Sequence, residues 1–127
     1  MTKRRIKIYF DGGCRPNPGR METAVVTGGA AVVVRDAGVG SSMDAEWLAL
    51  IAALRLAQGL GLANFVLLGD AAAVVAQANG AVSARGGAAN HLAAFQALVG
   101  DGPIPHVRHI KRTQNLAGIA LARQSSL

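Results

Sequence analysis

Along this chain the hydrophobic period changes from two to between three and four, and that change limits the fold more than any other feature. Residues 5–11 alternate, with Ile6, Ile8 and Phe10 on one side and Lys7, Tyr9 and Asp11 on the other, which is the period of a strand. Residues 12–20, rich in Gly, Pro and Asn, predict a turn. Two β-rich runs follow at 21–27 and 30–36, and the Gly28-Gly29 pair between them has the length and chemistry of a two-residue hairpin.

The period then becomes helical. Ser41 or Ser42 can N-cap a helix with Asp44 in its first turn, and the apolar run 47–57 carries it to Gly59. This helix is apolar almost all round, so it is expected to be buried. Residues 64–70 read as a short buried strand, 71–78 as a small-residue helix stopping near Asn79-Gly80, and 88–99 as another helix. A strand over 104–111, a helix over 114–123 and a frayed tail at 124–127 complete the pattern. The order βββαβααβα predicts an α/β fold with one mixed five-stranded sheet, formed as a single domain over 1–127.

With 51% apolar but only 4% aromatic residues, the core must be built mainly from Ala, Val, Leu and Ile. The formal charge of +6, from 13 Lys plus Arg against 7 Asp plus Glu, favours a polyanionic partner, nucleic acid first among them. A generally basic surface kept for solubility is the plainer alternative. Cys14, the single cysteine, forms no intramolecular disulfide, and no Cys/His cluster has zinc spacing. The basic start Met1-Thr2-Lys3-Arg4-Arg5 is followed by an apolar run broken at Lys7 and ended by Asp11, unlike a secretory signal. No apolar run approaches the length of a membrane span, so a cytoplasmic protein is expected.

Seven acidic residues are few enough to place one by one, and three stand in unusual positions. Asp11 ends the first strand, Glu46 lies early in the buried helix, and Asp70 ends the fourth strand. Glu46 shares a helical face with Ala49, Leu50 and Ala53, where an ionised carboxylate needs a metal or cation to offset its desolvation. If strands one and four are neighbours, Asp11 and Asp70 meet near one end of the sheet and Glu46 reaches them from above. Three converging carboxylates suit divalent cations such as Mg²⁺, and two such ions can flank a scissile phosphodiester. The alternative gives each acid a local task as turn former, N-cap or dipole partner.

Four ordered segments resemble the ribonuclease H family. Tyr9-Phe10-Asp11-Gly12-Gly13-Cys14-Arg15-Pro16-Asn17-Pro18-Gly19 is similar to its first-strand motif, and Asp44-Ala45-Glu46-Trp47-Leu48-Ala49-Leu50 to its helix motif. Gly69-Asp70, continuing through Val74-Val75-Ala76-Gln77, resembles the fourth-strand motif, and residues 109–122 the C-terminal one. The resemblance implies helices on both faces of the sheet and cleavage of the RNA strand of an RNA/DNA hybrid, with two Mg²⁺ or Mn²⁺ ions when substrate is bound. Asp11, Glu46 and Asp70 are then metal ligands. Gly12, Gly13, Cys14 and Asn17 would line the minor groove, where the 2′-hydroxyl marks RNA. Gln77 and Arg112 are further substrate contacts, Gln77 being otherwise a surface helix residue. A monomer with no protein partner is expected.

The chain also departs from that family. The fourth family aspartate falls at Gly118, which has no side chain to offer; Asn115, one turn earlier, could lend an amide oxygen in its place or simply cap the last helix. Ser42, Met43 and Ala71 thin the usual substrate contacts. No basic helix follows Gln77, so Arg15, Arg20, Arg85, Lys111 and Arg112 must grip the duplex. His109 is the candidate for the family's product-release histidine, with His106 beside it, and His91 is expected on the surface. Two alternatives stand beside a hybrid-cutting nuclease: a catalytically weakened binding module of the same fold, and a nuclease acting on duplex RNA.

Overall fold

The computed structural model of the chain describes residues 4–125, with side chains to residue 123. The basic start at residues 1–3 lies outside the described residues. Of the expected tail, 124 and 125 continue the last helix, while 126 and 127 lie outside the described residues. The elements in chain order are β1 (Ile6–Cys14), β2 (Gly19–Thr27), β3 (Ala30–Val34), β4 (Val39–Gly40), α1 (Ser42–Gly59), β5 (Phe65–Gly69), α2 (Ala72–Ala78), α3 (Gly87–Val99), β6 (His106–His109) and α4 (Leu116–Ser125). A 3₁₀ turn, Arg112–Gln114, precedes α4.

The sheet runs β3-β2-β1-β5-β6, with β4 added on β2. β1 is antiparallel to β2 and parallel to β5, which makes the sheet mixed. The sequence reading therefore missed one strand, β4, whose two residues pair with Gly19 and Arg20 and are too short to show a period. Gly28 and Gly29 both have positive φ, as a two-residue turn between right-twisted strands requires.

The expected turn over 12–20 contracts to 15–18, because Gly12, Gly13 and Cys14 remain in the ladder opposite Thr23, Glu22 and Met21. The cause lies above the strand. A Cβ on Gly12 would overlap the Ala45 carbonyl oxygen of α1. Glycine is therefore kept here for close approach of a helix, and the strand continues beneath it.

α1 starts in a capping box: Ser41 Oγ accepts from the Asp44 N–H, and Asp44 Oδ2 accepts from the Ser41 N–H at 2.9 Å. Its buried residues cover most of its circumference, and the side carrying Leu48, Ala52 and Arg55 is left more open. Ile8, Phe10, Val25 and Leu67 of the sheet pack with Trp47, Leu50 and Leu54 of α1, Val74 of α2 and Phe95 of α3. On the opposite face α4 packs Ala117 and Leu121 onto Ala24, beside Tyr9, Val26 and Val33. The alternation of Ile8, Tyr9 and Phe10 thus divides two layers of helices.

Two expectations change here. Gln77 is buried, and its Oε1 accepts the Trp47 indole N–H at 3.0 Å, so it is neither a surface residue nor open to substrate. His91 is half-buried; it stacks on Trp47 at 6.3 Å between ring centroids, and its Nε2 lies 2.8 Å from Asp44 Oδ1. A fully buried indole needs a partner for its N–H, and that need fixes Gln77. Among the described residues, no helix is long and apolar enough to cross a membrane.

The Gly12→Ala substitution is expected to lower folding stability by about 2–3 kcal/mol through overpacking against the α1 backbone. Urea unfolding of the variant beside the parent checks this, and an unchanged midpoint would refute the close-approach explanation.

Candidate metal centre

Register brings the acids together. In the parallel β1/β5 pair Tyr9 lies opposite Leu68, so Asp11 and Asp70, each two residues further on, emerge at the same level. Glu46 descends from the first turns of α1, where its Oε1 accepts the Gly12 N–H at 2.7 Å. One carboxylate oxygen from each of the three residues lies within 4.8 Å of the others, and all three side chains are half-buried.

Such proximity is costly without a cation. Burial first, and then the charge of Asp70, push the Asp11 carboxyl up from 3.8 to about 6. Burial and then Asp11 push Glu46 up from 4.5 to about 9. Arg112 acts the other way on Asp11 but does not cancel the effect. The donor set of hard carboxylate oxygens, held at coordinating distance and destabilised as anions, fits divalent cations.

A cleft of about 770 Å³ opens over these acids. Gly12, Gly13, Cys14 and Arg112 line it, as expected of substrate contacts. Asn17 does not line it; its Oδ1 accepts from the Ser42 N–H at 3.0 Å and ties the 15–18 turn to α1. His109 pairs with Gly69 at the end of β6, exposed and outside the cleft lining, and His106 lies exposed at the other end of that strand. Of the five basic residues expected to grip a duplex, Arg15, Arg20 and Arg112 line the cleft, and Arg35 joins them there.

Asn115 occupies a different place from the one expected of a ligand. It is fully buried, its Oδ1 accepts from the Ala117 N–H at 3.1 Å, and its Nδ2 donates to Phe10 O at 3.0 Å and Asp70 Oδ2 at 3.2 Å. Its amide oxygen caps α4 and its amide nitrogen steadies Asp70, so the side chain is engaged on both sides by protein. Gly118 does face the cluster: a Cβ there would lie 3.3 Å from Asp11 Oδ2.

The sequence reading missed Glu22 and Arg35, which line the same cleft as an ion pair 3.1 Å apart. The available signal was the hairpin register, which sets Glu22 opposite Gly13 once β1 is known to continue past Asp11.

A mixed sheet with this strand order, carrying three acids on β1, α1 and the end of β5, defines a ribonuclease H-like α/β protein. The reverse transcriptase-like family matches residues 19–125, and the chain belongs to that family. A ribonuclease HI of Halobacterium salinarum is 37% identical over 82 residues, 61% of this chain and 41% of that enzyme. The chain therefore spans less than half the length of that relative. The crystal structure of RNase H1 from the same archaeon superposes with a TM-score of 0.82 at 29% identity, covering 93% of this chain and 94% of that one. LC11-RNase H1, isolated from compost by a metagenomic approach and crystallised with an RNA/DNA hybrid, gives 0.82 at 26% identity over 92% and 93% of the two chains.

The raised carboxyls set a pH dependence. The folded, ion-free chain keeps protons on Asp11 and Glu46 that the unfolded chain has already released, so stability is expected to fall as pH rises from about 4 to about 9. A saturating divalent cation is expected to displace those protons and flatten the fall. Thermal unfolding at about pH 5 and about pH 8, with EDTA and with Mg²⁺, reads both effects, and equal profiles in the two media would refute them.

Proposed function

We propose that the protein is a divalent-metal-dependent endonuclease that hydrolyses the RNA strand of RNA/DNA hybrids, acting as a monomer and a single domain in the cytoplasm. The observation that carries this reading is the convergence of Asp11, Glu46 and Asp70 at coordinating distance on the floor of a cleft walled by arginines. A surface built only to hold phosphates gains nothing from concentrated negative charge. With Mg²⁺ or Mn²⁺ bound, the ions would activate water and neutralise charge at the scissile phosphodiester. Asp11, Glu46 and Asp70 hold them, Asn115 orients Asp70, and the Gly12 N–H orients Glu46.

Substrate binding falls to the cleft walls. Gly12, Gly13 and Cys14 line the cleft where a minor groove would lie, and Arg15, Arg20 and Arg112 attract the phosphate backbone. The LC11 relative, crystallised with an RNA/DNA hybrid, supports that substrate class. The lone thiol supports a reducing compartment.

A labelled RNA/DNA hybrid at low salt with Mg²⁺ or Mn²⁺ is expected to be cut in its RNA strand, and Asp70→Asn to lower the rate by about two orders of magnitude or more. Duplex RNA run alongside reads the second substrate. Tight hybrid binding without cleavage under either metal would leave the weakened binding module as the better reading.

Restoring an acid on α4 is expected to raise activity and tighten Mg²⁺ several-fold. Gly118→Asp places it beside Asp11, since a Cβ at Gly118 lies 3.3 Å from Asp11 Oδ2. An unchanged Mg²⁺ titration in a folded Gly118→Asp protein would refute the idea that α4 lacks a ligand.

A further inference from the structure

The cleft holds a fourth carboxylate that the three-acid cluster does not use. Asp11 pairs with Ala24 and Gly13 with Glu22, so Glu22 is the diagonal neighbour of Asp11 on the adjacent strand. Side chains two apart on a strand share a face, which places Glu22 with Ala24 on the side that α4 covers. Diagonal neighbours stand about 7–8 Å apart, within reach of a long side chain. Asp11, Glu22 and Gly118 line one cleft, and Gly118 leaves the far side of Asp11 without a side chain.

Glu22 is held where it lies by an ion pair to Arg35. Arg35 Nη1 sits 3.1 Å from Glu22 Oε1, with the two side chains 32% and 33% exposed. That nitrogen makes no hydrogen bond to any described residue, so the contact is an ion pair without a directed bond. Arg35 has a separate anchor, since its Nη2 donates to Leu121 O of α4 at 3.2 Å. Arg35 Nη1 is itself buried while the two side chains are about a third exposed, so the pair is partly screened, and a divalent cation beside Asp11 competes for the same carboxylate with twice the charge.

We propose that Glu22 is the fourth carboxylate of the metal centre, released from Arg35 when cations bind and supplying from β2 the charge that α4 lacks at Gly118. The inference rests on the reading of Asp11, Glu46 and Asp70 as a divalent-metal site. It assigns Arg35 as the residue that holds Glu22 in reserve in the ion-free protein.

Bound Mn²⁺, counted by loss of the free-ion EPR signal, tests this without any assay of cleavage. Glu22→Gln is expected to weaken the weaker Mn²⁺ site by about ten-fold, and Arg35→Gln to tighten it, with that gain absent in the double variant. If the pair is structural only, both single variants lower the unfolding temperature and leave Mn²⁺ affinity unchanged, which would overturn the proposal. Should Glu22→Gln not fold, Arg35→Gln decides alone: no tightening overturns it. Asp70→Asn separates the two levels of inference. Lost binding there with none lost in Glu22→Gln removes only Glu22, whereas full binding in Asp70→Asn removes the metal reading itself.

Discussion

The approach of α1 to β1 at Gly12 is the contact on which the rest of the site depends. Because position 12 has no side chain, the Ala45 carbonyl can press against the strand, and the Gly12 N–H is left facing the Glu46 carboxylate. Further along the same helix, Trp47 and Leu50 are seated among Ile8, Phe10 and Leu67. The apolar contact stabilises the helix position. The position then forces Glu46 towards Asp11, where neither carboxylate is comfortable as an anion.

The centre is therefore a place where folding forces hold repelling charges together. Hydrophobic burial on one face of the sheet and the α4 packing on the other fix the backbones from which the acids project. Asn115 joins the two by bonding Phe10 of β1, Asp70 after β5 and Ala117 of its own helix. A buried amide with all these bonds satisfied adds rigidity where the acids need it. Around this anionic floor Arg15, Arg20, Arg35 and Arg112 supply charge of the opposite sign along the same cleft.

α4 and β2 meet at the edge of the acidic cluster. The α4 helix carries glycine where a side chain would meet Asp11, and the adjacent β2 strand carries Glu22 paired to Arg35. Both positions open on the same cleft.

The alternation of residues 5–11, the two-glycine hairpin, the helical run from Ser42 and the order of the remaining elements were legible because each depends on neighbours a few residues apart. The same local logic marked Asp11, Glu46 and Asp70, since acids closing an apolar or alternating run, or entering an apolar helix, stand out in a chain with seven. Long-range contacts decided the rest. β4 exists only because β2 offers it a partner, and β1 continues past Asp11 because α1 covers it. Gln77 is claimed by an indole thirty residues away, Asn115 by a strand at the other end of the chain, and Glu22 by a register that no local pattern encodes. Periodicity reports which face of an element is apolar, whereas the partner of a buried polar group is settled only when the elements pack.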